Sequence, residues 1–172
     1  MLRITLALAA AALAVAAAPA SAPAAVDVGQ SPLETSLLQR LNHIRTAHGL
    51  RPLGASLPLA RAATAHATSM GRLGYFSHNS ADGTSWDRRI ARYYSKASYR
   101  SWMVGENLLF SDGEISSRDA VSMWLDSPDH RRNILEPRWR SIGIAAVFVP
   151  HAPGDFGGED VTLLVTDFGS RF

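Results

Sequence analysis

The sequence predicts an α+β domain, and three observations carry that reading. Apolar residues recur at helical spacing through the first half of the chain. Two nearly continuous apolar runs, residues 142–149 and 161–168, close it as strands that are buried or nearly so. The order is helix, helix, helix, strand, helix, strand, strand, with the last two strands in a hairpin. Few strands among several helices describe a central antiparallel sheet covered by helices.

The chain does not begin with the domain. Met1-Leu2-Arg3 supplies one positive charge, residues 4–18 carry none, and Pro19, Pro23 and a run of Ala and Ser follow. A charged start, an apolar centre and a small-residue exit read as a secretory signal peptide, with cleavage after Ala20 or Ala24. The apolar run is about 15 residues, short of the roughly 20 that a spanning helix needs. The expected organisation is a signal peptide over 1–24, a short linker over 25–30 and one domain over 31–172. No second apolar run of spanning length follows, so the expected product is a secreted monomer without a membrane span.

Composition narrows the chemistry. There are no cysteines, which excludes thiol catalysis, every Cys-based zinc site and a lipid anchor on Cys, and leaves packing alone to hold an exported fold. Basic residues number 17 against 15 acidic ones, and all but Lys96 of the basic ones are arginine. The arginines are scattered instead of forming a stripe, which argues against nucleic acid as a partner.

Each element has its own signal. Ser31-Pro32-Leu33-Glu34 combines a cap, a first-turn proline and a capping-box glutamate. Leu33, Leu37, Leu38, Leu41, Ile44 and Ala47 continue that helix to Gly49. Arg51-Pro52-Leu53 reads as an extended link. Ser56 caps a second helix with Leu59, Ala62, Ala63, His66, Met70 and Leu73 on one face, stopped by Gly74. Asp82-Gly83-Thr84 turns the chain into a short helix over 85–94, with Trp86, Ile90 and Tyr93 on one side. Residues 99–110 read as a strand, and Ser111-Asp112-Gly113 as a turn. Ser116 caps a helix with Ala120, Met123 and Trp124 inward, and Pro128 ends it; residues 130–135 form a short helical turn. The loop 150–160 joins the last two strands.

Three polar stretches stand out: Phe76-Ser77-His78-Asn79, Gly105-Glu106-Asn107-Leu108, and Ser127-Pro128-Asp129-His130 running on to Asn133-Ile134-Leu135. His78 follows a helix stop, where a loop can aim a side chain into a cleft. Glu106 lies in an apolar strand, so it either faces water or meets a donor. His130 lies just past a helix end, where the local dipole favours it, and Asn133 reads as a backbone-bonding turn residue. His43, His48 and His151 are weaker candidates, and His66 on an apolar face reads as core. Trp86, Trp102, Trp124 and Trp139 read as core as well. No zinc-helix, nucleophile-elbow or phosphate-loop pattern occurs.

Together, Leu41-Asn42-x-x-Arg45, Leu59-Ala60, Phe76-Ser77-His78, Gly105-Glu106-Asn107-Leu108, the run from Ala120 through Trp124, Ser127-Pro128-x-His130-Arg131 and Asn133-Ile134-Leu135, then Ile142-Gly143-Ile144 and Val165-Thr166-Asp167-Phe168-Gly169, resemble the CAP superfamily, also called SCP. The match runs over residues 33–169 and is closest to a short, disulfide-free bacterial branch. The resemblance implies an α-β-α sandwich and a cleft gathering two histidines and two acids. His78, His130 and Glu106 take three of those places, while Ser127, beside Asp126, stands where the second acid is expected. It implies ligand or partner binding, lipid included, more than catalysis. The leading expectation is a non-catalytic extracellular binding module that requires no cofactor. The alternative is a metal-dependent extracytoplasmic hydrolase that uses His78, His130 and Glu106, with His78 and His130 as weak ligands for zinc. A purely structural adhesion domain, using the outer helices, is a third expectation.

Overall fold

The computed structural model describes residues 31–97 and 99–172. The expected signal peptide and linker lie outside the described residues. The elements are α1 (Pro32–Ala47), β1 (Gly54–Ala55), α2 (Leu57–Leu73), α3 (Trp86–Ala91), β2 (Trp102–Asp112), α4 (Ser117–Asp126), α5 (Pro128–Ile134), β3 (Ser141–Val149) and β4 (Val161–Arg171), with a 3-10 turn at Gly154–Phe156. The sheet order is β1-β3-β4-β2. The α+β expectation holds, with one correction: the sheet is mixed. Gly54 and Ala55 pair in parallel with Ser141 and Ile142, so the expected extended link ends as a two-residue edge strand.

The cap signals at Ser31 and Ser116 act as read, whereas Ser56 stands at the N-cap of α2 without a side-chain cap hydrogen bond. Ser31 accepts from the Glu34 amide while the Glu34 carboxylate accepts from the Ser31 amide, closing the capping box. The second Glu34 oxygen accepts from the Ala146 amide, so one side chain both caps α1 and ties it to β3. Gly74 stops α2 in the left-handed conformation.

The sheet lies between two helical layers. On one face α1, α4 and α5 pack Leu37, Leu41, Val121, Trp124 and Ile134 onto Ile142, Ile144, Leu164 and Phe168. On the other, α2 sets Ala63, Ala67 and Met70 on Leu108, Ala145, Leu163 and Val165. Below it Leu59, Ala62, Ile90, Tyr94 and Val104 extend the layer through α3. The alternation of β4 residues between the two faces is the period-two rule of a strand buried on both sides.

Several boundaries moved. The third helix is shorter than residues 85–94, and Tyr94 is buried where Tyr93 was expected to be. β2 starts and ends later than 99–110. Val121 takes the inward place assigned to Met123, which is exposed. Leu73 and Ala47 are exposed too, while Arg45 is fully buried. Pro128 does more than end α4: it is the first residue of α5, with Ser127 extended between the two helices. Trp124 and Trp139 are core, whereas Trp86 and Trp102 are only partly buried.

Candidate functional site

The site is carried by β2, by the loop after α2, and by α5. Asn107 and Asn133 set the position of α5. Asn133 Nδ2 donates to the Glu106 carbonyl at 3.1 Å and to Asn107 Oδ1 at 2.9 Å, and Asn107 Nδ2 donates to the His130 carbonyl at 3.1 Å. Trp139 Nε1 donates to the Asn133 carbonyl, and the guanidinium of Arg45 donates to the carbonyls of Arg51, Ile134 and Glu136. Both ends of α5 are therefore tied down. Gly105 permits the approach: a Cβ there would lie 2.8 Å from Asn133 Oδ1 and 2.7 Å from the Trp139 ring.

The result is a cleft of about 580 Å³ that brings His78, Glu106, Ser127 and His130 together. His78 Nδ1 lies 2.8 Å from Glu106 Oε1. A carboxylate only accepts, so Nδ1 carries the hydrogen and the Nε2 lone pair is left over. The Glu106 side chain is 1% exposed and that of His78 50% exposed, so the pair runs from the interior to the cleft wall. Burial, then the neighbouring His78, pushes the His130 imidazole below its usual range, with Asp129 opposing.

Glu106 has a second partner that the sequence reading missed. Arg89 Nη2 donates to Glu106 Oε2, and Arg89 Nη1 donates to the His78 carbonyl at 2.7 Å. Arg89 escaped notice because it stands beside Arg88 in a short polar helix; its place next to buried Ile90 was the available signal. Asp167 was missed as well. It faces Glu106 across the β2–β4 ladder and is fully buried. The argument that singled out Glu106, a charge inside an apolar strand, applies to it equally. His66, expected as core, is 1% exposed and belongs to the same cluster. Its Nε2 donates to the Ser77 carbonyl, and its Nδ1 has no partner among the described residues.

His66 carries a consequence for pH. Burial, then Arg89, lowers its imidazole from 6.5 to about 4. The unfolded chain binds this proton more readily, so the neutral ring's contribution is complete above the unfolded value and is lost as pH falls toward the folded one. Between pH 6.5 and 4 the domain is expected to lose about 3 kcal/mol through this residue. Denaturant titrations at several pH values check it; His66→Gln should flatten that slope.

The two residues expected as weak zinc ligands, His78 and His130, both line the cleft, and Glu106 holds the Nδ1 of His78. Among the described residues no group of three His, Asp or Glu side chains converges to hold a metal. The donor set does not suit a zinc site of the catalytic type, which needs three protein ligands. Among the described residues no serine hydroxyl is hydrogen-bonded to an imidazole, Ser127 included.

Residues 38–163 match the family described as CAP, the cysteine-rich secretory protein family. The chain belongs to the CAP family. Two curated Bacillus subtilis (strain 168) proteins resemble it at 30% identity: Uncharacterized protein YkwD over 118 residues, and Uncharacterized membrane protein YlbC over 115. The stretches cover 68% and 67% of this CAP chain but only 43% and 32% of those proteins. Among solved structures, an outer surface protein of Borrelia burgdorferi superposes with a TM-score of 0.63 at 22% identity, covering 80% of this chain and 92% of that one. An extracellular SCP-domain protein of Bacillus anthracis str. Ames follows at 0.60 and 24%, covering 79% and 39%. These likenesses show the CAP fold, and with it the three-layer arrangement described above.

Proposed function

We propose that this CAP domain is an extracytoplasmic, non-catalytic binding module whose His78–His130 cleft takes a polar, uncharged ligand rich in hydroxyl and amide groups. The observation that carries the reading is that the acidic side chains lining the cleft each stand beside an arginine, Asp129 and Glu136 toward its exposed rim and Glu106 in its buried wall. Asp129 pairs with Arg132 at 2.7 Å, Glu136 with Arg138 at 2.7 Å, and Glu106 with Arg89. What the cleft has left to offer is the His78 Nε2 lone pair, a His130 ring biased toward its neutral form, the Ser127 hydroxyl and exposed side-chain polar atoms. Such a set reads donors on a neutral ligand and gives little to an ion. The extracytoplasmic part rests on two structural relatives described as extracellular and outer-surface proteins, and on the leader-like start of the sequence.

The test is a titration of the purified chain with oligomers of N-acetylglucosamine, followed through the His78 and His130 ring signals. Saturable shifts that vanish in the His78→Ala/His130→Ala double variant are expected. Unmoved ring signals, or turnover that disappears in the same variant, would contradict the reading.

A lipid ligand, the other expectation from the resemblance, suits a different place. Ile44, Val121 and Leu125 line a groove of about 460 Å³ between α1 and α4, with Arg40 and Arg118 among its lining residues. A fatty acid is expected to perturb Val121 and Leu125 and leave the cleft histidines untouched.

A further inference from the structure

The buried cluster behind the cleft holds two carboxyl groups and one guanidinium. Glu106 and Asp167 stand directly opposite each other in the β2–β4 register. The Glu106 and Leu108 carbonyls accept from side chains on the far side of β2, from Asn133 and Trp124, and the Gly169 carbonyl turns away from β2 to accept from the Arg140 amide. The 106–167 pair is thus one of the narrow, non-hydrogen-bonded pairs, in which facing side chains come closest.

Asp167 is 0% exposed, and among the described residues neither of its oxygens has a donor. Arg89 directs its two Nη groups to the His78 carbonyl and to Glu106, and its Nε reaches no acceptor among those residues. Across the other ladder Asp167 faces Gly143, which has no side chain. From α2, His66 joins the cluster, its Nε2 committed to the Ser77 carbonyl. The Glu106 carboxylate, itself an acceptor, stands within reach of Asp167. Two acceptors in contact and sealed from water require a proton between them.

We infer that Asp167 is a positioning residue: it folds as the neutral acid and donates its hydroxyl hydrogen to Glu106. The Glu106 carboxylate then receives three donors, from Asp167, Arg89 and His78, and its rotamer is fixed from behind. That in turn fixes the His78 ring with Nε2 toward the cleft. Burial, then Glu106, pushes the Asp167 carboxyl well above its usual range, with Arg89 opposing, in agreement with the geometry. The assignment concerns the wall behind the cleft and stands whatever the cleft binds.

The sign of the pH dependence is set by where the proton sits. A carboxyl that keeps its proton on folding, while the unfolded chain releases it above about pH 4, loses stability as pH rises. An amide at the same position donates to Glu106 at every pH. The experiment measures thermal unfolding of the full chain, Asp167→Asn and Asp167→Ala between about pH 4 and about pH 8. It also records the carboxyl ¹³C signal of Asp167 and the Nδ1 proton of His78.

The Tm of Asp167→Asn is expected to rise relative to the parent by several degrees across that range. The Asp167 carbon is expected to stay at its protonated position at neutral pH, where exposed aspartates have ionised. The His78 Nδ1 proton should persist in Asp167→Asn and broaden or vanish in Asp167→Ala. An Asp167 carbon that titrates with the exposed aspartates would overturn the inference. So would a Tm difference that is constant with pH, or a His78 signal unmoved in Asp167→Ala. If neither variant folds, the carbon signal of the parent chain decides alone.

Discussion

Gly143→Ala is expected to cost the domain about 3 kcal/mol or more, a large share of the roughly 5–15 kcal/mol that holds a domain folded. A Cβ at this position would lie 2.1 Å from the Ala60 nitrogen and 2.1 Å from the Leu59 carbonyl carbon. These are backbone atoms in the first turn of α2, so no rotamer change relieves the overlap. The whole helix must lift from β3, taking Ala63, Ala67 and Met70 with it. Urea unfolding of the variant beside Gly54→Ala measures the effect. At Gly54 the nearest atom to an added Cβ is 3.8 Å away, and that change should be nearly silent. A loss below about 1 kcal/mol in Gly143→Ala would mean that α2 is not seated on β3 as described.

The second large effect is expected at Arg89. Arg89→Met keeps the bulk of the side chain and removes the cation that faces Glu106 and Asp167. Breaking a buried pair by removing one partner typically costs about 3–5 kcal/mol, because the remaining charge stays buried without compensation. Arg89 also donates to the His78 carbonyl, so the loop that presents His78 should loosen as stability falls. Hydrogen exchange at residues 77–80, together with urea unfolding, reports both. Arg89→Lys should recover only part of the loss, since a single ammonium group does not reproduce the fork that reaches the carbonyl and the carboxylate at once. Wild-type exchange rates in Arg89→Met would remove Arg89 from the support of the loop.

Much of the fold was legible because its signals are local. Ser31, Pro32 and Glu34 announce a helix start by pattern alone, Gly74 announces a stop, and the apolar runs at 142–149 and 161–168 need no partner to be recognised as strands. What escaped depends on the partner. β1 is two residues long and exists only because Ser141 and Ile142 are there to bind it. The choice between Val121 and Met123 is a rotation of α4 that the packing against Trp124, Leu37 and Leu164 settles. The same division runs through the site. His78, Glu106 and His130 declare themselves by residue type and setting, while Arg89 on a polar-looking helix turns inward only because α3 lies against β2. Asp167 was readable in principle: it stood in the family pattern, but inside a nearly continuous apolar run it was not weighed as a site residue.

One of the two inner strands of the sheet is also the last of the described ones. β4 pairs with β3 on one side and with β2 on the other, and it is buried from Val161 through Ser170. Without it, β2 has no ladder and Glu106 has no Asp167 behind it. The growing polypeptide can form its helices early, but it cannot close the sheet until residues 161–171 are available. Closure of the sheet therefore waits for the most C-terminal of the described strands, and until it arrives β2 is left unpaired beside helices that have nothing to cover.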